Sequence, residues 1–133
     1  MQLYGSRPLL EKLGVKEGMR VCVLGSFQRS FERHLEQRSA AKPAKALRGD
    51  YDLIFLALAA ASELKRLPVV RAHLKPAGAI WLVYVKGKGA PVGETRAREA
   101  ILACDLVDTK VVAFSETHSA LRAVIPLALR SNA

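Results

Sequence analysis

Cysteine is scarce in this chain. Cys22 and Cys104 are the only two among 133 residues, and both fall in apolar patterns. That predicts two buried, reduced thiols rather than a disulfide framework. Long apolar stretches are missing too. The longest, residues 53–61, is far short of the roughly 18 residues of a membrane span and suits a buried strand leading into a helix. Residues 1–8 carry neither the apolar core nor the small-residue cleavage site of a secretory signal. A cytoplasmic protein with no membrane segment is expected. Aromatic residues make up only 6%, and no zinc-finger or RNP-type aromatic pattern is present, which removes the usual routes to sequence-specific nucleic-acid recognition.

What is present describes one globular domain over residues 1–133. Half of the residues are apolar and 25% are charged, a composition that buries a core and is not that of a disordered chain. The formal net charge is +9. Residues 1–50 hold 10 basic and 5 acidic groups, residues 51–133 hold 11 and 7, and no basic arm or block of like charge appears. Such a field concentrates polyanions near the surface. Non-specific nucleic-acid binding is therefore one alternative role, against a protein that is merely basic.

Periodicity lays out the elements. Residues 6–14 predict a short helix with Ser6 as its cap, Pro8 in the first turn and Leu9, Leu10 and Leu13 on its apolar side. A strand follows over 20–24, then a helix over 27–38 with Phe27, Phe31 and Leu35 on one face. A short strand is expected at 44–47 and a continuously apolar one at 51–58. Next comes a helix from residue 62, with Leu64, Leu67 and Leu74 inward, Pro68 bending or restarting it, and residues 75–78 stopping it. A buried strand over 79–85 places Trp81 and Tyr84 on opposite faces, Trp81 in the core. Ala97, Ala100, Ile101 and Cys104 mark another helix. Strands at 106–114 and 120–129, joined by a turn at Glu116-Thr117-His118, close the chain as an antiparallel hairpin. The class is α/β: a Rossmann-like three-layer sandwich with a mostly parallel sheet and a terminal antiparallel hairpin.

The segment Gly18-Met-Arg-Val-Cys-Val-Leu-Gly-Ser-Phe27 opens like a cofactor-binding strand–loop–helix but offers one glycine where such loops carry two or three. Ser26 and bulky Phe27 stand where the backbone would approach a ligand. Asp50-Tyr-Asp-Leu-Ile-Phe-Leu56 and Leu74-Lys-Pro-Ala-Gly-Ala-Ile-Trp81, with the order of elements, resemble the core of Rossmann-like class I methyltransferases. Tyr4-Gly-Ser-Arg-Pro-Leu-Leu-Glu-Lys-Leu-Gly-Val-Lys-Glu-Gly-Met-Arg-Val21, Leu47-Arg-Gly-Asp50 and Ser115-Glu-Thr-His-Ser-Ala-Leu-Arg122 resemble a bacterial domain-of-unknown-function family, DUF3052. The resemblance implies a truncated methyltransferase-like fold. In that family a tryptophan more often stands where His118 is found, so no role for His118 comes with it. A methyltransferase holds S-adenosylmethionine with a glycine-rich loop after strand one and a carboxylate ending strand two. Here no Asp or Glu lies between Gln37 and Gly49.

Ligands of open parallel sheets bind at the carboxyl ends of the strands. That edge gathers Gly25, Ser26, the Lys86-Gly87-Lys88 loop, Glu116 and His118. Lys86 and Lys88 can offer charge to a phosphate, with Gly87 exposing backbone N–H and the next helix adding its dipole; the alternative is a solvated loop. Glu116 and His118 can form an acid–base pair, or simply a capped hairpin turn. Neither a nucleophile nor a metal-ligand set accompanies them. The expectation is a non-catalytic or vestigial cofactor fold with no predicted cofactor, binding a small anionic ligand or a protein partner at this edge. S-adenosylmethionine-dependent methyl transfer through a degenerate loop is the enzyme alternative. Leu127, Ala128 and Leu129, at the end of a strand, could pair with a second copy in a homo-oligomer.

Overall fold

The most apolar segments build the centre of the molecule, whose structure, a computed structural model, describes residues 7–130. Tyr51–Ala57 forms β2 and Leu74–Val85 forms β3, side by side and parallel. β1 (Val21–Leu24) joins the free side of β2, also parallel. The terminal hairpin adds β4 (Val107–Ala113) and β5 (His118–Val124). β5 runs antiparallel to both β3 and β4, which gives the order β1-β2-β3-β5-β4 with four strands sharing one direction. This is the expected α/β sandwich with its closing hairpin.

Alternation along the strands divides the core. Val23, Phe55, Trp81 and Val83 face α1 (Arg7–Lys12) and α2 (Arg29–Ser39), meeting Leu9, Leu13, Phe31 and Leu35. Leu24, Ile54, Leu82 and Tyr84 face the other layer, where α3 (Leu67–Ala72) and α4 (Glu94–Ala103) supply Leu67, Val70, Ala97 and Ile101. Burying each such large side chain contributes about 1.5–3 kcal/mol. Trp81 is a core residue, fully buried, and its indole N–H donates to the Leu13 carbonyl at 3.0 Å, tying the end of α1 to the sheet.

Several elements depart from expectation. The strand at 44–47 is reduced to a single bridge between Cys22 and Ala44. Beyond it the chain curls around Tyr51, whose hydroxyl donates to the Ala46 carbonyl and accepts from the Arg48 N–H. The helix expected from residue 62 starts as a 3-10 turn (Ala61–Arg66) and restarts as α3 with Pro68 in the first turn, where a missing N–H costs nothing. Leu74 is not helical but opens β3: it pairs with Tyr51, whereas Leu53 pairs with Ala79, so residues 75–78 loop outward within the strand. Gly78 allows this close passage, since a Cβ there would stand 2.8 Å from the Asp52 carbonyl oxygen. The last strand stops at Val124, not at residue 129. Pro126 cannot extend the ladder, and Leu127–Leu129 forms a 3-10 turn. β5 is flanked on both sides, so exposed Leu127 and Leu129 do not lie on a free strand edge. The expected cap Ser6 lies outside the described residues.

Candidate functional site

β1 ends at Leu24, and Gly25, with a φ of +105°, turns the chain away from the sheet. A Cβ at this position would stand 2.7 Å from that of Ala57, so the glycine serves close packing against the end of β2. Ser26 and Phe27 follow as loop, and α2 begins only at Arg29. Phe27 turns inward. Its ring centroid lies 5.5 Å from that of Phe31, and it meets Phe55 and Phe114 edge-on at 6.5 and 6.0 Å. Phe31 also packs edge-on to Phe55 and Phe114, at 5.4 and 4.9 Å. All four phenylalanines of the chain thus meet at the carboxyl end of β1. Edge-to-face pairs of this kind add about 0.5–1.5 kcal/mol each beyond burial.

The resemblance to methyltransferases puts the adenosyl group of such a fold at this end of the sheet. The remaining hollow beside Phe27 measures about 110 Å³ and reaches Ser26, Gln28, Val83 and His118. Small-molecule sites usually need roughly 300–1,000 Å³. Where the ribose carboxylate would stand after a second strand, the chain offers the Ala44 bridge and no acid between Gln37 and Gly49.

The other predicted residues do not converge. His118 borders the hollow beside Phe27, and its Nδ1 lies 2.7 Å from the Thr117 hydroxyl. Glu116 borders a different hollow of about 270 Å³, with Lys12 and Lys86. The expected Glu116–His118 pair therefore does not form. Instead Ser115, buried, accepts the backbone N–H groups of Thr117 and His118 through its hydroxyl, and the turn is a capped hairpin loop. Lys86, Gly87 and Lys88 are exposed, and the Lys86 N–H is spent on the Thr117 carbonyl. The start of α4 already holds an anion of its own. Glu94 accepts from Arg98 and, at 2.9 Å, from the Tyr84 hydroxyl, and Arg98 first and Tyr84 second hold its carboxyl below the usual range.

The structure resembles a precorrin-6y C5,15-methyltransferase from Geobacter metallireducens (TM-score 0.67, 13% identity), covering 90% of this chain and 86% of that one. It also resembles a magnesium protoporphyrin IX methyltransferase from Synechocystis solved with bound SAM (TM-score 0.63, 12% identity), covering 89% and 74%. The fold is methyltransferase-like. A third similar structure, the pyocyanin biosynthetic protein PhzM, has a TM-score of 0.66 at 9% identity, with 86% of this chain and 53% of that one covered. No family model and no curated protein matches the sequence.

Sequence reasoning missed two features. The first is Phe114, which closes the aromatic cluster from the far end of β4; its approach to Phe27 depends on the strand order. The second is a hollow of about 740 Å³ at the opposite edge, where β2 and β3 begin. Lys12, Lys16, Lys75, Lys110 and Arg122 border it, together with Glu11 and Asp52. Asp52 is engaged by the Arg20 N–H at 2.8 Å and by Lys75 at 3.1 Å.

Proposed function

We propose that this protein is a binding module on a methyltransferase-like scaffold, with an anionic ligand, and not a working methyltransferase. Phe27 carries the reading: its ring takes up the space that an adenosyl group would need. The missing ribose carboxylate and the net charge of +9 support it. Truncation of the methyltransferase pattern also agrees with the DUF3052 resemblance, which belongs to the same proposal. At the carboxyl edge, Lys86 with Lys12 provides a contact for an anion, opposed by Glu116. Two thiols, both free, suit a reducing, cytoplasmic setting.

A second reading is favoured by the similarity to a structure solved with bound SAM. In that reading Phe27 swings out and the loop at Gly25 and Ser26 admits S-adenosylmethionine. Calorimetric titration with S-adenosylmethionine, at low salt and on protein freed of carried-over ligand, separates the two. The binding-module reading expects no saturable heat at two temperatures. Saturable binding in the micromolar range would overturn it and restore methyl transfer.

A further inference from the structure

Lys110 and Arg122 are direct cross-strand partners, and one row across the sheet runs Val23, Phe55, Trp81, Arg122 and Lys110. The row is apolar until its last two members, where two cations stand opposite each other on the α1 face. Like charges in that position destabilise a ladder unless something lies between them. Among the described residues neither makes a salt bridge: Arg122 donates to the Thr109 hydroxyl at 3.1 Å, and Lys110 lies over the Trp81 ring at 5.9 Å. Burial, and after it the Arg130 guanidinium, lowers the pKa of Arg122 from its ordinary value, as expected of a half-buried cation without a counter-charge.

Two irregularities shape this edge. A bulge at Thr109 lets Asp108 pair with Ala123 on one face while Lys110 pairs with Arg122 on the other, so Asp108 turns away to Arg98. Bulges commonly re-aim side chains in this manner. The outward loop of residues 75–78 raises the opposite wall of the hollow, with Lys75 held on Asp52. Lys12 and Lys16 approach from the end of α1 and the segment after it. Five cations face two carboxylates here, an excess that asks for a ligand with more than one negative charge. Between the charges the walls are apolar, from Leu13, Met19, Leu53 and Pro76. The volume of about 740 Å³ exceeds what a bare diphosphate fills and lies within the usual range for small-molecule sites.

We propose that this amino-edge groove binds a small phosphorylated molecule, with a diphosphate between Lys110, Arg122, Lys12 and Lys16 and an apolar body against Leu13 and Met19. The inference deepens the binding-module reading by naming a site and a ligand class, and it rests on that reading only for the anionic character of the ligand. Because the groove lies opposite the S-adenosylmethionine region, the two titrations succeed or fail independently.

The test uses inorganic pyrophosphate and ADP as probes, by calorimetry at low salt and by amide-shift mapping on the unaltered protein. Saturable one-site binding is expected, tighter for ADP, with shifts centred on Thr109, Lys110, Arg122 and Lys75. The double substitution Lys110→Gln with Arg122→Gln should weaken binding by about tenfold or more, while Lys65→Gln with Arg96→Gln, two exposed cations that do not border the groove, leaves it unchanged. No saturable binding of either probe, shifts centred on residues 86–88, or full affinity in a folded double variant would overturn the proposal.

Discussion

Gly25 and Gly87 both adopt a positive φ, +105° and +87°, but in different surroundings. At Gly25 an added Cβ would collide with Ala57, whereas at Gly87 nothing lies within 4 Å. A left-handed conformation alone costs an alanine about 1–2 kcal/mol. Gly87→Ala should therefore lose about that much stability in urea denaturation, and Gly25→Ala about 1–3 kcal/mol more, because packed cores resist an extra methyl. Adding Ala57→Gly to Gly25→Ala should recover the excess and leave the conformational part. Equal losses at the two glycines would show that Gly25 is needed for its backbone and not for its fit. The sequence announced the single glycine and the bulky neighbour at this turn. It could not tell that Phe27 faces inward, because that depends on Phe114 arriving from β4, more than eighty residues along the chain.

Among the elements, α4 is fastened to the sheet by a polar contact in an apolar layer. The Tyr84 hydroxyl of β3 donates to Glu94 in the first turn of the helix, and Arg98 closes on the same carboxylate and on Asp108. Burial first, and the Glu94 carboxylate second, push the Tyr84 phenol up to about 12. A raised pKa in the folded state means stability that is complete below the ordinary phenol value of 10 and lost as pH rises through about 12. The urea midpoint of the wild-type protein should fall more steeply across that window than that of Tyr84→Phe, and identical profiles would dissociate the contact from stability. Glu94, depressed, contributes in the opposite sense: its share is present above the ordinary carboxylate value and lost as pH falls through the folded one. Apolar runs made β2, β3 and the hairpin readable from the sequence. Residues 75–78 look like a turn because their composition is that of a turn, yet neighbouring Leu74 pairs with Tyr51 and the strand continues around them. The same limitation hid the amino-edge groove. The facing of Lys110 and Arg122 follows from hairpin register and a bulge at Thr109, and neither is written in residue type.

For the whole molecule, the question is whether +9 acts as a diffuse field or as a site. A diffuse field binds polyanions through many weak contacts and loses them steeply with salt, by about 10³–10⁵ in affinity between 50 and 200 mM for a protein touching 6–10 phosphates. No helix among the described residues is long and apolar enough to cross a membrane, and the basic residues are spread along the sequence, so the field has no single source. A labelled duplex of about 20 base pairs should therefore bind weakly at low salt and be released by roughly 200 mM, whatever its sequence. Neutralising Lys110 and Arg122 removes two charges of many, so duplex affinity at low salt should change by less than about threefold, while pyrophosphate affinity falls about tenfold or more. That contrast is the decisive one. If both affinities fell together, the groove would be only the most basic part of a polyanion-binding surface, and the nucleic-acid alternative would take its place. If only the pyrophosphate response collapsed, the cross-strand pair of cations would be a built site, on the edge of the sheet opposite the carboxyl ends of β1, β2 and β3.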